Sequence, residues 1–549
     1  MNQKNRYNIK KFSSFREIVN HSAKTFNKNI AFQIKEKAGQ YKEITFEAFR
    51  QHYYRVSSHL LKLGLRGARI AVSGKNSYEW MLSYLAAATV GVAVPIDKEL
   101  MGEDVEAFLE ASEASVLISD EKMSDKVENF KNKLLFSDVL KIAEENTTPL
   151  YSEIDKIEKA KDEMSVLIFT SGTTGSSKGV MLSQHNIVSN INSTNAVVKV
   201  LKSDKTMSIL PLHHTYECTL DGLLILSQGA TICYNESLQM VARDIKEYSP
   251  SILVVVPELL AILVRRIKAA IIQGCPEKYK EAFEKGGICA GLKAVPAVLR
   301  FVIKNKVRKT LGGKLRLFIV GAAELDTSIV DDFTALGIRT LQGYGLTECS
   351  PLLAGNSDFF FNPKSTGVAI PDVELRIYEP NEEGVGEIIA RGENIMLGYY
   401  RDEEATKKVI RDGWFHTGDL GCFGEDGALY IKGRIKNIIV TENGKNVYPE
   451  ELEARISAFE EISDVIVTGD KKLDRTTVRA KIFPNLSFIR EKLGHEPDKV
   501  ELESEIKGII EAVNSKIPKY KQIRAIEVLS NALEKTTTRK VKRFGANVE

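Results

Sequence analysis

The chain has 549 residues, 43% of them apolar and 27% charged, a globular balance that excludes disordered, collagen-like and coiled-coil readings. Its 76 Lys and Arg nearly cancel 73 Asp and Glu, leaving a net charge of +3, so no overall field of the kind that gathers nucleic acid exists. Length allows roughly four domain-sized units.

Met1–Phe12 is basic but polar, and no apolar run of the signal-peptide kind follows it. Arg69–Ser73 then reads as a strand, Tyr78–Ala88 as a helix, and Val92–Pro95 and Val116–Ser119 as strands. Ser165–Phe169, Thr206–Leu210, Ile252–Val256 and Leu315–Val320 have the length and punctuation of buried parallel strands. This alternation predicts doubly wound α/β sheets. Trp80–Ile96 carries Gly91 and Pro95, and Ser251–Val264 is cut by Pro257-Glu258. Both fall short of the ~20 apolar residues that cross a bilayer, so each is expected inside the protein. Six cysteines (Cys218, Cys233, Cys275, Cys289, Cys349, Cys422) make no C-x-x-C pair and no zinc spacing. Reduced thiols and a soluble, cytoplasmic location are the expectation.

Beyond Gly367 the grammar changes. Val373–Tyr378, Gly386–Ala390 and Ala428–Lys432 are short strands between turn clusters such as Asn381–Gly386, which predicts a small β-rich subdomain. After Gly433 the pattern mixes helices (Tyr448–Phe459, Glu501–Lys516) with strands (Val465–Gly469, Val478–Phe483). The expected division is a large domain over 1–433, with two α/β subdomains to about 366 and the β-rich subdomain over about 367–433. A hinge follows over 434–437, and a small α+β domain over 438–549.

Four segments carry chemistry. Thr170-Ser171-Gly172-Thr173-Thr174-Gly175-Ser176-Ser177-Lys178-Gly179 follows a strand directly. Its glycines let backbone N–H groups face a polyanion, its hydroxyls add donors, and Lys178 adds charge. It is no Walker A loop, because Ser177 stands where the second glycine belongs and Gly179 follows the lysine. Gln342-Gly343-Tyr344-Gly345-Leu346-Thr347-Glu348 fails as a dinucleotide fingerprint for a similar reason. A ring between glycines can stack on a base, and a nearby carboxylate can hold Mg²⁺ beside phosphates; alone, a solvated acidic turn explains it better. Upstream, Val320-Gly321-Ala322-Ala323 ends a strand with small residues. Gly413–Gly421 offers Asp419 either to ribose hydroxyls or to cap a turn. Lys432–Asn437, followed by Asn443–Glu453, lies at the composition change and reads by itself as a basic linker.

In this combination and order the segments resemble the adenylate-forming superfamily over about Thr45 to Arg543, and most of all bacterial long-chain fatty acyl-CoA ligases. The resemblance implies ATP, Mg²⁺ and CoA as cofactors and co-substrates. It makes Thr170, Ser171, Gly172, Thr173, Thr174, Gly175 and Lys178 the phosphate loop, Gly321, Ala322 and Ala323 the adenine-side turn, and Tyr344 the stacking ring. Gln342, Gly343, Gly345 and Gly444 belong to the same cofactor-binding set. Thr347 and Glu348 would meet phosphate and metal, with Thr170 as a second metal contact. Asp419 matches the ribose aspartate, Arg434 a nucleotide arginine, Lys436 the hinge and Lys540 the lysine at the reacting phosphate and carboxylate. His214, after Pro211-Leu212-His213, matches the gate of the carboxylate pocket; an ordinary hydrogen-bonded core histidine is the plain alternative. The catalytic set is therefore Lys540, Glu348, Thr173, His214 and Lys436. Three positions depart from the family pattern: Ser177, Val320 and Thr538-Arg539, the last leaving Lys535 as an alternative to Lys540.

The implied reaction joins a carboxylic acid, expected to be a long-chain fatty acid, to AMP and then to CoA. An acyl carrier protein as thiol acceptor, or a nucleotide-binding regulator without turnover, would use much the same residues. A final feature stands outside these motifs. From Lys285 to Arg316 the chain has nine Lys or Arg and no Asp or Glu, interleaved with Leu292, Val298, Phe301 and Val302. A solvated helix face is the first expectation there, with peripheral contact with anionic lipid as the hypothesis set against it.

Overall fold

The computed structural model describes residues 6–543 except Ala38, Ser171–Ser176, Ala322, Glu324, 442–444, 473–474 and 536–540, and without the side chains of 471, 472, 475 and 476. The chain divides into two compact units. One holds most of the chain to 375 together with 390–415, and the other holds 376–389 with 416 onward.

Two large sheets make the first unit. In spatial order, the first contains Val368–Ala369, Leu352–Gly355, Arg339–Gly345, Leu317–Val320, Ile252–Val255, Lys205–Ser208, Thr231–Tyr234, Ile30–Lys37 and Gln40–Thr45. The second runs Gly398–Tyr399, Lys178–Ser183, Met164–Thr170, Val92–Ile96, Arg69–Ser73, Ala114–Ser119 and Lys133–Leu135. Interior strands pair in parallel; the first sheet has antiparallel pairs at both ends, and the second at the Gly398–Tyr399 end only, since Lys133–Leu135 pairs in parallel. The fold class is thus α/β with helices wound on mixed sheets.

Ser77 caps the helix Tyr78–Val90, its hydroxyl accepting from the Trp80 N–H. Every residue of that helix except Glu79 is buried, because one core cluster takes side chains from both sheets and from the helices Phe46–Lys62 and Tyr78–Val90. A helix apolar all round is what such a position requires. The Trp80–Ile96 run is accordingly a core helix followed by a buried strand. Among the described residues no single helix is long and apolar enough to cross a membrane. Between the parallel neighbours Ile252–Val255 and Leu317–Val320 the chain makes a long crossover of three helices, Pro257–Gly274, Glu277–Ala294 and Ala297–Thr310. All six cysteines are free; four are buried, and Cys289 and Cys422 are half-buried.

In the second unit a three-stranded sheet, Ile462–Lys472, Arg475–Pro484 and Ala525–Val528, packs against the helices Pro449–Ser457 and Lys499–Asn514. A further sheet of five strands, whose residues are assigned partly to each unit, comprises Val373–Tyr378, Gly386–Gly392, Trp414–Phe423, Ile410–Arg411 and Leu429–Arg434. The last point of the compact division is 415/416, within the strand Trp414–Phe423, whose residues Asp419–Phe423 pair with Leu429–Arg434. Compactness does not test a hinge, which is a matter of backbone freedom.

One buried feature has a consequence for stability. A π-helix, Glu217–Leu223, places Glu217 and Asp221 side by side in the core. Ser208 Oγ donates to Glu217 at 2.7 Å, the Ile209 N–H donates at 3.1 Å, and Thr206 donates to Asp221. Burial and mutual repulsion raise Glu217 far above the carboxylate range, and burial raises Asp221 to about 7. A carboxyl raised in the fold contributes stability below its unfolded pKa, and that contribution is lost as pH rises through the folded value. Asp221→Asn is expected to be near neutral at pH 3 and to stabilise the protein by roughly 3–4 kcal/mol at pH 8.5. Denaturation midpoints at the two pH values check this; an equal effect at both would show that the pair is ionised throughout.

Candidate active site

The strands Lys205–Ser208, Ile252–Val255, Leu317–Val320 and Arg339–Gly345 are neighbours and parallel. Segments leaving their carboxyl ends therefore emerge at one edge of the sheet, the usual place for a ligand in an α/β protein. After the first strand comes the turn to His213 and His214, held by Asn76. The Asn76 amide donates to Ser208 Oγ at 2.9 Å and to the Leu210 carbonyl at 2.6 Å, and accepts from the Leu212 N–H at 3.0 Å. Burial pushes the His213 pKa down to about 3, so its ring is neutral and its 3.7 Å approach to Asp97 is no ion pair. The His214 ring lies 4.1 Å from it, tilted by 43°, and is half-buried.

After Val320, Gly321 lies against Tyr216; a Cβ there would stand 2.9 Å from the Tyr216 ring. Tyr216 Oη donates to the Ile319 carbonyl at 3.1 Å, which holds the ring under the turn. Ala323 is exposed; Ala322 lies outside the described residues. Val320 pairs with Gln342, so Gly321 and Gly343 leave adjacent strands together. Gln342 through Gly345 are strand rather than turn, and Gly343, Tyr344 and Gly345 pair with Gly355, Ala354 and Leu352. Tyr344 is half-buried. At Gly345 a Cβ would lie 1.9 Å from the Pro351 carbonyl oxygen, so only glycine lets the chain turn there.

Thr347 and Glu348 begin a short 3₁₀ turn. Asn394 donates to the carbonyls of Cys349 and Leu352 at 2.9 and 3.0 Å, Asn190 donates to Leu352 at 2.7 Å, and the Met396 N–H donates to the Glu348 carbonyl at 2.8 Å. These bonds fix the backbone under Glu348. Its side chain accepts from Tyr399 Oη at 2.9 Å, and Lys178 Nζ sits 4.5 Å from the centre of the same Tyr399 ring. Tyr399 thus joins the lysine of the Gly/Ser/Thr segment to the carboxylate of the Thr347-Glu348 segment. The base of the loop is closed by Thr170 paired with Lys178. Ser171, Gly172, Thr173, Thr174 and Gly175 lie outside the described residues.

Among the described residues no three His, Cys, Asp or Glu side chains converge to hold a metal. One carboxylate (Glu348) with one hydroxyl (Thr170) fits a hydrated Mg²⁺ carried mainly by phosphate oxygens, and does not fit a resident protein cage.

In the second unit Asp419 sits within the strand Trp414–Phe423, not in a turn, and faces Arg434 across the ladder. Arg434 Nε donates to Asp419 at 2.7 Å, and the carboxylate is only 7% exposed. Glu387 arranges the residues before it, accepting from the Gly418 N–H at 3.0 Å and contacting His416 Nδ1 at 2.7 Å. Gly418 has φ +71°, which glycine tolerates without strain. Lys436 is exposed in the 3₁₀ turn Ile435–Asn437. Gly444 and Lys540 lie outside the described residues. Lys535, the alternative to Lys540, is held 2.6 Å from the buried Asp464 and so serves as its counter-ion.

Sequence reasoning did not single out Asn76, Tyr216, Glu387 or Tyr399. Tyr399 had one readable signal, the Gly398-Tyr399-Tyr400-Arg401 cluster after an apolar run; the others become visible only through packing.

A Gly/Ser/Thr-rich segment whose lysine is joined through Tyr399 to an acidic group near the sheet's carboxyl edge suits an α/β nucleotide-binding protein. A family model described as "AMP-binding enzyme" matches residues 19–400, and one described as "AMP-binding enzyme C-terminal domain" matches 436–546. The chain belongs to this family of adenylate-forming enzymes. Similar curated proteins include long-chain-fatty-acid–CoA ligase FadD15 of Mycobacterium bovis, 29% identical and covering 88% of this chain and 87% of its own. Long-chain-fatty-acid–CoA ligase 5 of Rattus norvegicus is 29% identical over 78% of this chain and 69% of its own. Among solved structures, a Mycobacterium tuberculosis fatty acyl CoA synthetase shares the fold at a TM-score of 0.66 and 21% identity, covering 96% of each chain. An ATP-bound RpMatB-BxBclM chimera shares it at 0.76 and 23%, covering 97% of each.

An Asp419→Ala variant is expected to stay folded and to raise the KM for ATP by about tenfold or more, the effect of losing a charged hydrogen-bond acceptor. Steady-state kinetics over ATP concentration, beside a thermal melt, check it. An unchanged ATP dependence in a folded variant would remove Asp419 from the nucleotide site.

Proposed function

We propose that this protein uses ATP to activate a long-chain fatty acid and passes the acyl group to CoA. A carboxylate oxygen attacks the α-phosphorus, the bond to the β-phosphate oxygen breaks, and pyrophosphate leaves with those electrons. The CoA sulfur then attacks the acyl carbon, the acyl–phosphate C–O bond breaks, AMP leaves, and the thiol proton passes to solvent. No enzyme nucleophile is needed; the work is alignment and charge neutralisation.

Lys178 would offset phosphate charge, and Glu348, oriented by Tyr399, would hold Mg²⁺ with the phosphates. When bound, that ion would neutralise phosphate charge. Tyr344 offers a face for the base, and Asp419 an acceptor for ribose. The observation that carries this reading is the Lys178–Tyr399–Glu348 cluster, which joins two of the phosphate-side segments. The names of the relatives support the fatty-acid class and CoA as acceptor.

Pyrophosphate release measured with acetate, benzoate, octanoate, palmitate and amino acids tests the acid. Release with palmitate exceeding the others supports the proposal, and none with any fatty acid overturns it. Supplying CoA or a holo-acyl carrier protein tests the acceptor: thioester on the carrier alone rejects CoA.

A further inference from the structure

The helices Glu277–Ala294 and Ala297–Thr310 meet at a sharp corner, bent by 119°. Arg300 fixes that corner by donating to the carbonyls of Lys293 (3.3 Å) and Val295 (3.2 Å). On the second helix Ile303 and Val307 are buried in the core cluster that also holds Phe283, Ile288 and Leu292. The opposite face carries Val298, Phe301 and Val302, exposed by 77%, 67% and 53%. Their i, i+3, i+4 spacing makes one apolar patch, and Asn305 and Lys309 continue the same stripe. Lys306, Arg308 and Lys309 follow in the last two turns, and Lys293 stands before the corner. All four are exposed, and among the described residues none has an ion-pair partner.

We infer that this helix rests on an anionic lipid surface, with Val298, Phe301 and Val302 below the headgroups and the lysines and arginine among them. Charge complementarity is local, since the near-neutral chain concentrates nine cations and no acid between Lys285 and Arg316. Three apolar side chains cover far less than the roughly 800 Å² per partner of a stable protein interface. They suit shallow insertion, in which apolar and cationic contributions add. The helix pair cannot span the bilayer while its other face is packed in the core. This contact goes beyond the proposed reaction and is read without ATP or fatty acid.

Flotation of the full chain with phosphatidylcholine vesicles, with and without phosphatidylglycerol, tests it. Binding is expected only to the anionic vesicles, weakening with salt. Lys306→Gln with Arg308→Gln and Lys309→Gln should lower partitioning by roughly a hundredfold, and Phe301→Ser with Val302→Ser should abolish the salt-resistant fraction. Phe301→Trp should show blue-shifted emission on adding anionic vesicles, which reads insertion in a chain whose fold is otherwise untouched. Equal binding to neutral vesicles, unaltered binding by both multiple variants, or an unshifted tryptophan would overturn the inference. Retention on polyuridylate RNA without flotation would reassign the patch to nucleic acid.

Discussion

Glu348→Ala is expected to lower ATP-dependent pyrophosphate release by about 10²–10³-fold, the usual effect of removing one preorganised charge-stabilising group. The carboxylate stands on a 3₁₀ turn whose backbone is fixed by Asn190, Asn394 and Met396, and its side chain is aimed by Tyr399. Removing it leaves the turn tied, so the loss should fall on activity and not on stability. Tyr399→Phe serves as the graded control. It deletes only the hydroxyl, keeps the ring beneath Lys178, and should lower activity by about tenfold at most. Initial rates over Mg²⁺ and ATP concentration, with melting curves for both variants, decide the matter. A folded Glu348→Ala enzyme with wild-type rates and Mg²⁺ dependence would remove this carboxylate from the reaction.

Lys540→Ala is expected to slow acyl-adenylate formation by about 10²–10³-fold and to spare the reaction of pre-formed acyl-adenylate with CoA. The assignment comes from the resemblance, which places one lysine near the C-terminus at the reacting phosphate and carboxylate. Lys535 supplies the contrast. Its ammonium is 2.6 Å from the buried Asp464, so Lys535→Ala leaves a buried carboxylate without its partner, which should cost about 3–5 kcal/mol of stability. Single-turnover measurement of each half-reaction, beside denaturation of both variants, separates the roles. A Lys535→Ala protein of normal stability that fails only in adenylation would exchange them.

Much of the fold was legible because buried strands and core helices carry strong local signals. The runs Arg69–Ser73 and Val373–Tyr378 form strands over those very residues, and Tyr78–Ala88 forms a helix that continues to Val90. Local signals misled where glycine and acidic residues suggested turns. Gln342–Gly345 and Asp419 lie in strands, since pairing with a neighbouring strand outweighs the turn preference of isolated residues.

The sequence by itself determined the order of the chemical segments: the Gly/Ser/Thr loop with Lys178, the small-residue turn at Gly321, Tyr344 with Glu348, and Asp419 with Arg434. Their residue types answer to backbone freedom and charge, which are local properties. Only the tertiary structure decided which of them meet. Lys178 and Glu348 are far apart along the chain and are joined by Tyr399, which a two-residue strand, Gly398–Tyr399, lays beside Lys178–Ser183. So short a strand carries almost no periodicity to read, and its place is set by the sheet edge it completes. Lys535 stood as an alternative to Lys540, and a buried aspartate 71 positions earlier, Asp464, is its partner in the fold. Electrostatic pairing over such distances depends on burial, and burial is a property of the packed fold.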